Sequence, residues 1–218
     1  MVDNNMSSAL GIHYFSTKHC LVVPSDVTPM CSNGGLIGHI ISISAKDNYW
    51  CQWVYQFAHE YCHHLINGSL SGEWSTLLWF EETICQLSSL YNLRRMEDYC
   101  RDIGLAVYAP CVHDYLDKLL AEGSKVFVRE NKVGWFEKYA SSLSKEGYQR
   151  GLYNAIAVQI FPLFIDNPNL WKIILHIGDI RSWDSLESLF VHLQERVDDS
   201  YKDSWCMFRG LFFPGKSL

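Results

Sequence analysis

The spacing of apolar positions changes character near residue 45 of this 218-residue chain. Before it, apolar residues come in short runs. Residues 11–16 and 19–23 are two of them, the second ended by Pro24. Residues 36–44 read as the best strand, because Ile41 and Ile43 alternate with Ser42 and Ser44. Gly34-Gly35 marks a turn before that strand, and Asp47-Asn48 is placed to cap the next helix.

Beyond residue 45 the period becomes helical. Residues 49–66 carry a polar stripe of Gln52, Gln56, His59, Glu60 and His63, extended by Asn67. Val54, Phe57, Ala58, Tyr61 and Leu65 form an apolar stripe. Asn67-Gly68 is a plausible left-handed stop. A second helix is expected over 74–95, with Phe80, Ile84, Leu87 and Tyr91 as its apolar face. A third begins near Pro110, a residue suited to a first helical turn. Others are expected over 133–143, 145–164, 168–177 and 184–197, with Asn167-Pro168 and Asp184-x-x-Glu187 as cap-like starts. The pattern therefore predicts an α+β chain that is mainly helical. A small N-terminal β-sheet packs on the helix at 49–66, and a helical C-terminal part comes after it. With no repeat or linker visible, we expect a single domain over 1–218, in two lobes of residues 1–100 and 101–218.

Composition narrows the function classes. Hydrophobic residues make up 48% of the chain, with eight Trp and twelve Tyr, so a substantial core can be buried. The net charge of −6 and the lack of any basic run argue against duplex nucleic acid as a partner. The N-terminus lacks the basic start and apolar stretch of a secretory signal. The longest nearly apolar run, residues 155–165, contains Gln159 and Pro162 and is too short to span a bilayer. The expectation is a soluble cytoplasmic protein without a membrane partner. The eight cysteines, at 20, 31, 51, 62, 85, 100, 111 and 206, form no Cys-x-x-Cys pair and read mostly as buried thiols.

Candidate chemistry lies on the polar stripe of the 49–66 helix. His59-Glu60-Tyr61-Cys62-His63 spells His-Glu-x-x-His. Two His at i and i+4 share one helical face, where a single Zn²⁺ can bind both imidazoles. Glu60 is placed to act as general base on water. Glu82, on the second predicted helix, can supply a third ligand. Its neighbour Glu81 points about 100° away around the helix, so only one of the two should reach the metal, and Glu82 is favoured. Glu81 is then either an outer-shell or rim group or an exposed charge. Gln86, one turn after Glu82, is a weaker candidate for orienting a ligand, and Gln56 and Asn67 have similarly weak claims. His64 and Cys62 point off the metal face; Cys62 reads as core and His64 as a packing or surface residue.

The segments 57–63 and Trp79-Phe80-Glu81-Glu82-Thr83 together resemble the gluzincin metallopeptidases, the thermolysin-like and aminopeptidase-N-like clan. The resemblance covers roughly residues 36–95. It implies a zincin-like fold, one zinc per chain on His59, His63 and Glu82, and a peptide or protein substrate. It also implies that 36–44 is the edge strand above the metal. A downstream Tyr or His would stabilise the oxyanion. Tyr153, sharing a helical face with Arg150, is favoured over Tyr148 and His176. The chain departs from the clan in two places. Gly38-His39-Ile40-Ile41-Ser42 stands where aminopeptidases carry Gly-x-Met-Glu-Asn, which argues against an aminopeptidase. Gln86 stands where thermolysin-like members have Asp. The expected function is a zinc-dependent peptidase, most simply an endopeptidase. The alternatives are a zinc-binding regulatory or scaffold protein with a vestigial site, and a zinc hydrolase acting on other bonds.

Overall fold

A computed structural model describes residues 1–10, 19–66, 75–126, 135–145, 149–178 and 180–215. The protein is mainly helical with one small sheet. In chain order the elements are α1 (Val2–Leu10), β1 (Cys20–Pro24), β2 (Met30–Asn33), β3 (His39–Ile43), α2 (Trp50–Ile66), α3 (Leu78–Asp102), α4 (Ala109–Ser124), α5 (Trp135–Lys145), α6 (Arg150–Asp166), α7 (Ile174–Ile177), α8 (Leu186–Gln194) and α9 (Lys202–Phe212). The predicted run at 11–16, the stop at Asn67-Gly68 and the candidate Tyr148 lie outside the described residues.

The sheet order is β1-β3-β2. β3 pairs in parallel with β1, from Cys20↔His39 to Pro24↔Ile43, and antiparallel with β2, from Met30↔Ser42 to Asn33↔His39. The best predicted strand is therefore the central one. The expectation that it forms the sheet edge is corrected: β2, four residues long, is the edge next to it on one side. Residues 36 and 37, also read as strand, belong to a 3-10 turn. Gly38 then adopts φ 95°, with the backbone of His19 pressed against the place a Cβ would occupy. Only glycine lets β1 and β3 come together there.

Alternation on β3 buries His39, Ile41 and Ile43 toward α2. Ile41, Ile43 and Ala45 form a small core with Trp53, Phe57 and Tyr61. Gln56 locks strand to helix. Its Oε1 accepts from the Ser44 and Ala45 amides at 3.0 and 2.9 Å, so it holds the scaffold rather than a metal ligand.

The main core gathers side chains from Val2 to Phe213 around α3. Trp79, Phe80, Phe164, Trp171, Phe190, Trp205, Phe208 and Phe212 are almost fully buried within it. α3 runs seven residues past its expected end, and α6 begins at Arg150, five residues later than expected. The expected helix at 168–177 is a 3-10 segment, Pro168–Ile173, continued by the single turn of α7. α8 is capped by Ser185, in a reciprocal pair with Ser188, rather than by Asp184. Helices α1 and α9 and strand β2 were not anticipated. Among the described residues, no helix is long and apolar enough to cross a membrane.

Candidate metal centre

Small side chains let α2 and α3 approach closely in opposite directions. Ser89 Oγ donates to the Tyr55 carbonyl at 2.8 Å and Ser88 Oγ to the Ala58 carbonyl at 3.0 Å. Further along, the Cys62 thiol reaches the Ile84 carbonyl at 3.9 Å. One more turn in the same register sets the start of α3 against His59 and His63. Both side chains of the Glu81-Glu82 pair are used there. His59 Nε2 lies 3.2 Å from Glu82 Oε2, and His63 Nε2 lies 3.5 Å from Glu82 Oε1. His63 Nδ1 lies 2.6 Å from Glu81 Oε1.

One ligand atom each from His59, His63 and Glu82 falls within 4.8 Å of the other two. The two imidazoles turn the same nitrogen, Nε2, toward one carboxylate. That donor set fits a small divalent cation with an open coordination position. Glu81 is 3% exposed, so it is neither a rim group nor an exposed charge. Its carboxylate fixes the His63 ring from behind and dictates that Nε2 faces forward, the arrangement by which a carboxylate orients a metal-binding His.

The electrostatics agree with an excess of negative charge. Burial opposes the charged form of His63. The hydrogen bond to Glu81 and the charges of Glu81, Glu82 and Glu60 overturn that and raise its pKa to about 10. Burial also opposes the Glu82 carboxylate, but His59, His63 and Arg150 together hold its pKa below the usual value. Three carboxylates around two imidazoles amount to a well for positive charge. Glu60 is buried at 7% exposure, close enough for its charge to act on His63.

Of the remaining candidates, Cys62 is fully buried, as expected of a packing residue. His64 is buried too, with its Nδ1 2.8 Å from Nδ1 of His39 on β3. Gln86 does not orient a ligand through the contacts it makes here. Its side chain is bound to the Tyr55 hydroxyl, at 2.6 and 2.8 Å, and to Asn154 Oδ1 at 3.1 Å. Tyr153 lies on α6 at 4% exposure, within the main core. His176 has burial, Arg196 and His192 as the causes of a lowered pKa. Sequence reasoning missed Cys31 on edge strand β2. β2 packs beside α2, and burial, then the charges of Glu60, Cys20 and Glu81, raises the Cys31 thiol pKa.

A separate cleft of about 520 Å³ opens between the start of α3, α5, the start of α8 and the turn after α9. None of His59, Glu60, His63 or Glu82 lines it. No family model, curated protein or solved structure matches this chain.

Proposed function

We propose that the protein is a zinc-dependent peptidase, with His59, His63 and Glu82 holding the metal and Glu60 serving as general base. The observation that carries this reading is the convergence of the three ligand atoms, together with Glu81 on the far nitrogen of His63. A carboxylate on the far ring nitrogen is a common way of holding a metal-binding His in one orientation. Two imidazoles and a carboxylate are a donor set used by catalytic zinc. When bound, zinc supplies Lewis acidity to a carbonyl and makes water easier to deprotonate.

The protein's own groups do the rest. Glu60 takes a proton from the attacking water and passes it to the departing amine nitrogen. Glu81 keeps His63 in one tautomer and one orientation. Gln56 and Ser88 hold the strand, α2 and α3 in register so that these groups stay fixed. The oxyanion-stabilising group is left unassigned, because Tyr153, favoured from the sequence, is buried in the main core at 4% exposure while Arg150 is exposed.

The test separates metal from chemistry. Purified protein should carry about one zinc per chain, lost in His59→Ala and His63→Ala. Glu60→Gln should keep zinc while peptide hydrolysis drops by about 10²–10⁴-fold. Zinc retained in full by both His variants would place the metal elsewhere. Zinc bound by a wild type that cleaves no peptide in a broad library would leave a zinc-binding protein without peptidase activity.

A further inference from the structure

We propose that Arg150 receives a substrate carboxylate beside the metal centre, so that the site prefers peptides with a negative charge next to the scissile bond. This rests on the peptidase reading and adds a substrate class to it.

The placement comes from how α3 and α6 pack. Gln86 on α3 donates to Asn154 on α6 at 3.1 Å. Further along both helices, Tyr91 packs on Trp171 and Trp171 on Phe164, with ring centroids 5.2 and 4.9 Å apart. The two helices therefore run side by side in the same direction. One turn back from Gln86 is Glu82, and one turn back from Asn154 is Arg150. Arg150 thus stands level with the metal-binding carboxylate, and its charge is felt by both Glu82 and Tyr55.

Arg150 is also available. Its side chain is exposed, and among the described residues it forms no ion pair or side-chain hydrogen bond. Gly151 comes next, and among the described residues no atom lies within 4 Å of where its Cβ would stand. In the metal-free protein Arg150 helps to balance Glu82. A divalent cation on His59, His63 and Glu82 takes over that balancing and leaves the guanidinium as surplus positive charge at the mouth of the site. A guanidinium presents two parallel N–H donors to a carboxylate, a geometry that neutral amides cannot match. Without it, the carboxylates of Glu60, Glu81 and Glu82 would repel an anionic substrate. The carboxylate can be the free C-terminus of a peptide or an Asp or Glu side chain within one.

Three fluorescent hexapeptides distinguish these sources. One has a free C-terminus, one is a neutral C-terminal amide, and one is an amide with an internal Glu. Binding to zinc-loaded Glu60→Gln protein is read by fluorescence anisotropy, so the outcome does not depend on turnover. At least one carboxylate peptide should bind about 10-fold or more tighter than the neutral amide, the scale of a hydrogen-bonded charge pair. Adding Arg150→Gln should erase that preference while leaving the neutral amide's affinity unchanged, and Arg150→Lys should restore part of it. Equal binding of all three peptides, a preference that survives Arg150→Gln, or no binding of any peptide overturns the proposal. Cleavage by wild type is assayed separately. A carboxylate preference without cleavage counts against the peptidase reading and not against Arg150.

Discussion

Replacing Glu81 by Gln keeps the volume of the side chain and removes its charge from the back of His63. The change has two opposing effects on zinc binding. Loss of an orienting carboxylate typically weakens metal affinity by about 10- to 100-fold, or about 1.4–2.8 kcal/mol at 1.4 kcal/mol per decade. The 2.6 Å contact and the burial of Glu81 at 3% exposure favour the upper part of that range, because water cannot take its place. The same carboxylate, however, strengthens the hold of His63 on its proton, with a pKa raised to about 10. Zinc must displace that proton. At neutral pH the variant loses intrinsic affinity and also escapes proton competition, so a single measurement there decides nothing.

The pH dependence decides it. Between about pH 7 and about pH 9 the wild type should gain zinc affinity by roughly tenfold per pH unit, as one His63 proton is released per metal. In Glu81→Gln the rise should flatten within that interval, and at the alkaline end the variant should bind more weakly than wild type. The assay is competition with a chromogenic chelator across the pH series. Melting curves of each metal-free variant exclude unfolding as the cause. Glu82→Ala, which deletes a ligand, should be weaker than either across the whole series. A Glu81→Gln curve that superimposes on the wild type would reduce the Glu81–His63 contact to an incidental ion pair. It would also weaken the case that the cluster is built to hold a metal.

The elevated His63 pKa makes a separate prediction for the metal-free protein. A folded value of about 10 lies above the ordinary 6.5, so the associated stability is complete below about pH 6.5 and is lost as pH rises toward about 10. Denaturant unfolding after chelation should show this decline, and His63→Gln should abolish it. Gly38→Ala puts a side chain at positive φ and into the His19 backbone. An alanine at a compatible glycine position stabilises by about 0.4–1 kcal/mol, but here it should destabilise by more than ~1 kcal/mol and speed amide hydrogen exchange along β1. Ser88→Leu overfills the contact between α2 and α3, where Ser88 is fully buried against Ala58. It should destabilise by about 1–3 kcal/mol and weaken zinc retention without touching a ligand. Unaltered zinc retention would show that the spacing of the two helices does not set the site.

How far the sequence revealed these features depended on whether local spacing determined them. The two stripes of α2 could be read because a helix with one face on a sheet and the other lining a site must separate polar from apolar residues. Glu82 could be chosen over Glu81 for the same reason. The role of Glu81 could not be chosen, because it depends on α3 running antiparallel to α2 with His63 between the two carboxylates. Gln86 shows the opposite error. It sits one turn after Glu82, the correct spacing for a supporting group, but Tyr55 and Asn154 occupy it. The alternation of Ile41 and Ile43 gave β3 its face toward α2. Its central position came from β1 joining in parallel, and no pattern within 36–44 records that. β2 was missed because four residues are too few to show a period. α1 is hard to read because Asp3, Asn4, Asn5, Ser7 and Ser8 dominate its nine residues, which leaves Val2, Met6 and Ala9 as a weak helical stripe.

The carboxylates themselves give the strongest reason to regard the cluster as a built site. Glu60 and Glu81 are both buried, and Glu82 is largely screened. Like charges gathered out of water are costly unless a cation is held among them. A hydrogen bond from His59 and the charges of His63, His59 and the exposed Arg150 offset the burial of Glu82. Apolar residues of similar volume are often more stabilising than a buried charge cluster, and the fully buried Phe80 and Ile84 show that such side chains fit at this level of α3. The geometry also separates the tasks: Glu82 faces both Nε2 atoms, Glu81 takes the opposite nitrogen of His63, and Glu60 is left without a ligand to hold. Only the first two are needed to bind a metal. The buried third carboxylate, next to the site and uncommitted to it, is what a proton-transfer step requires and what a purely structural metal site would have no use for.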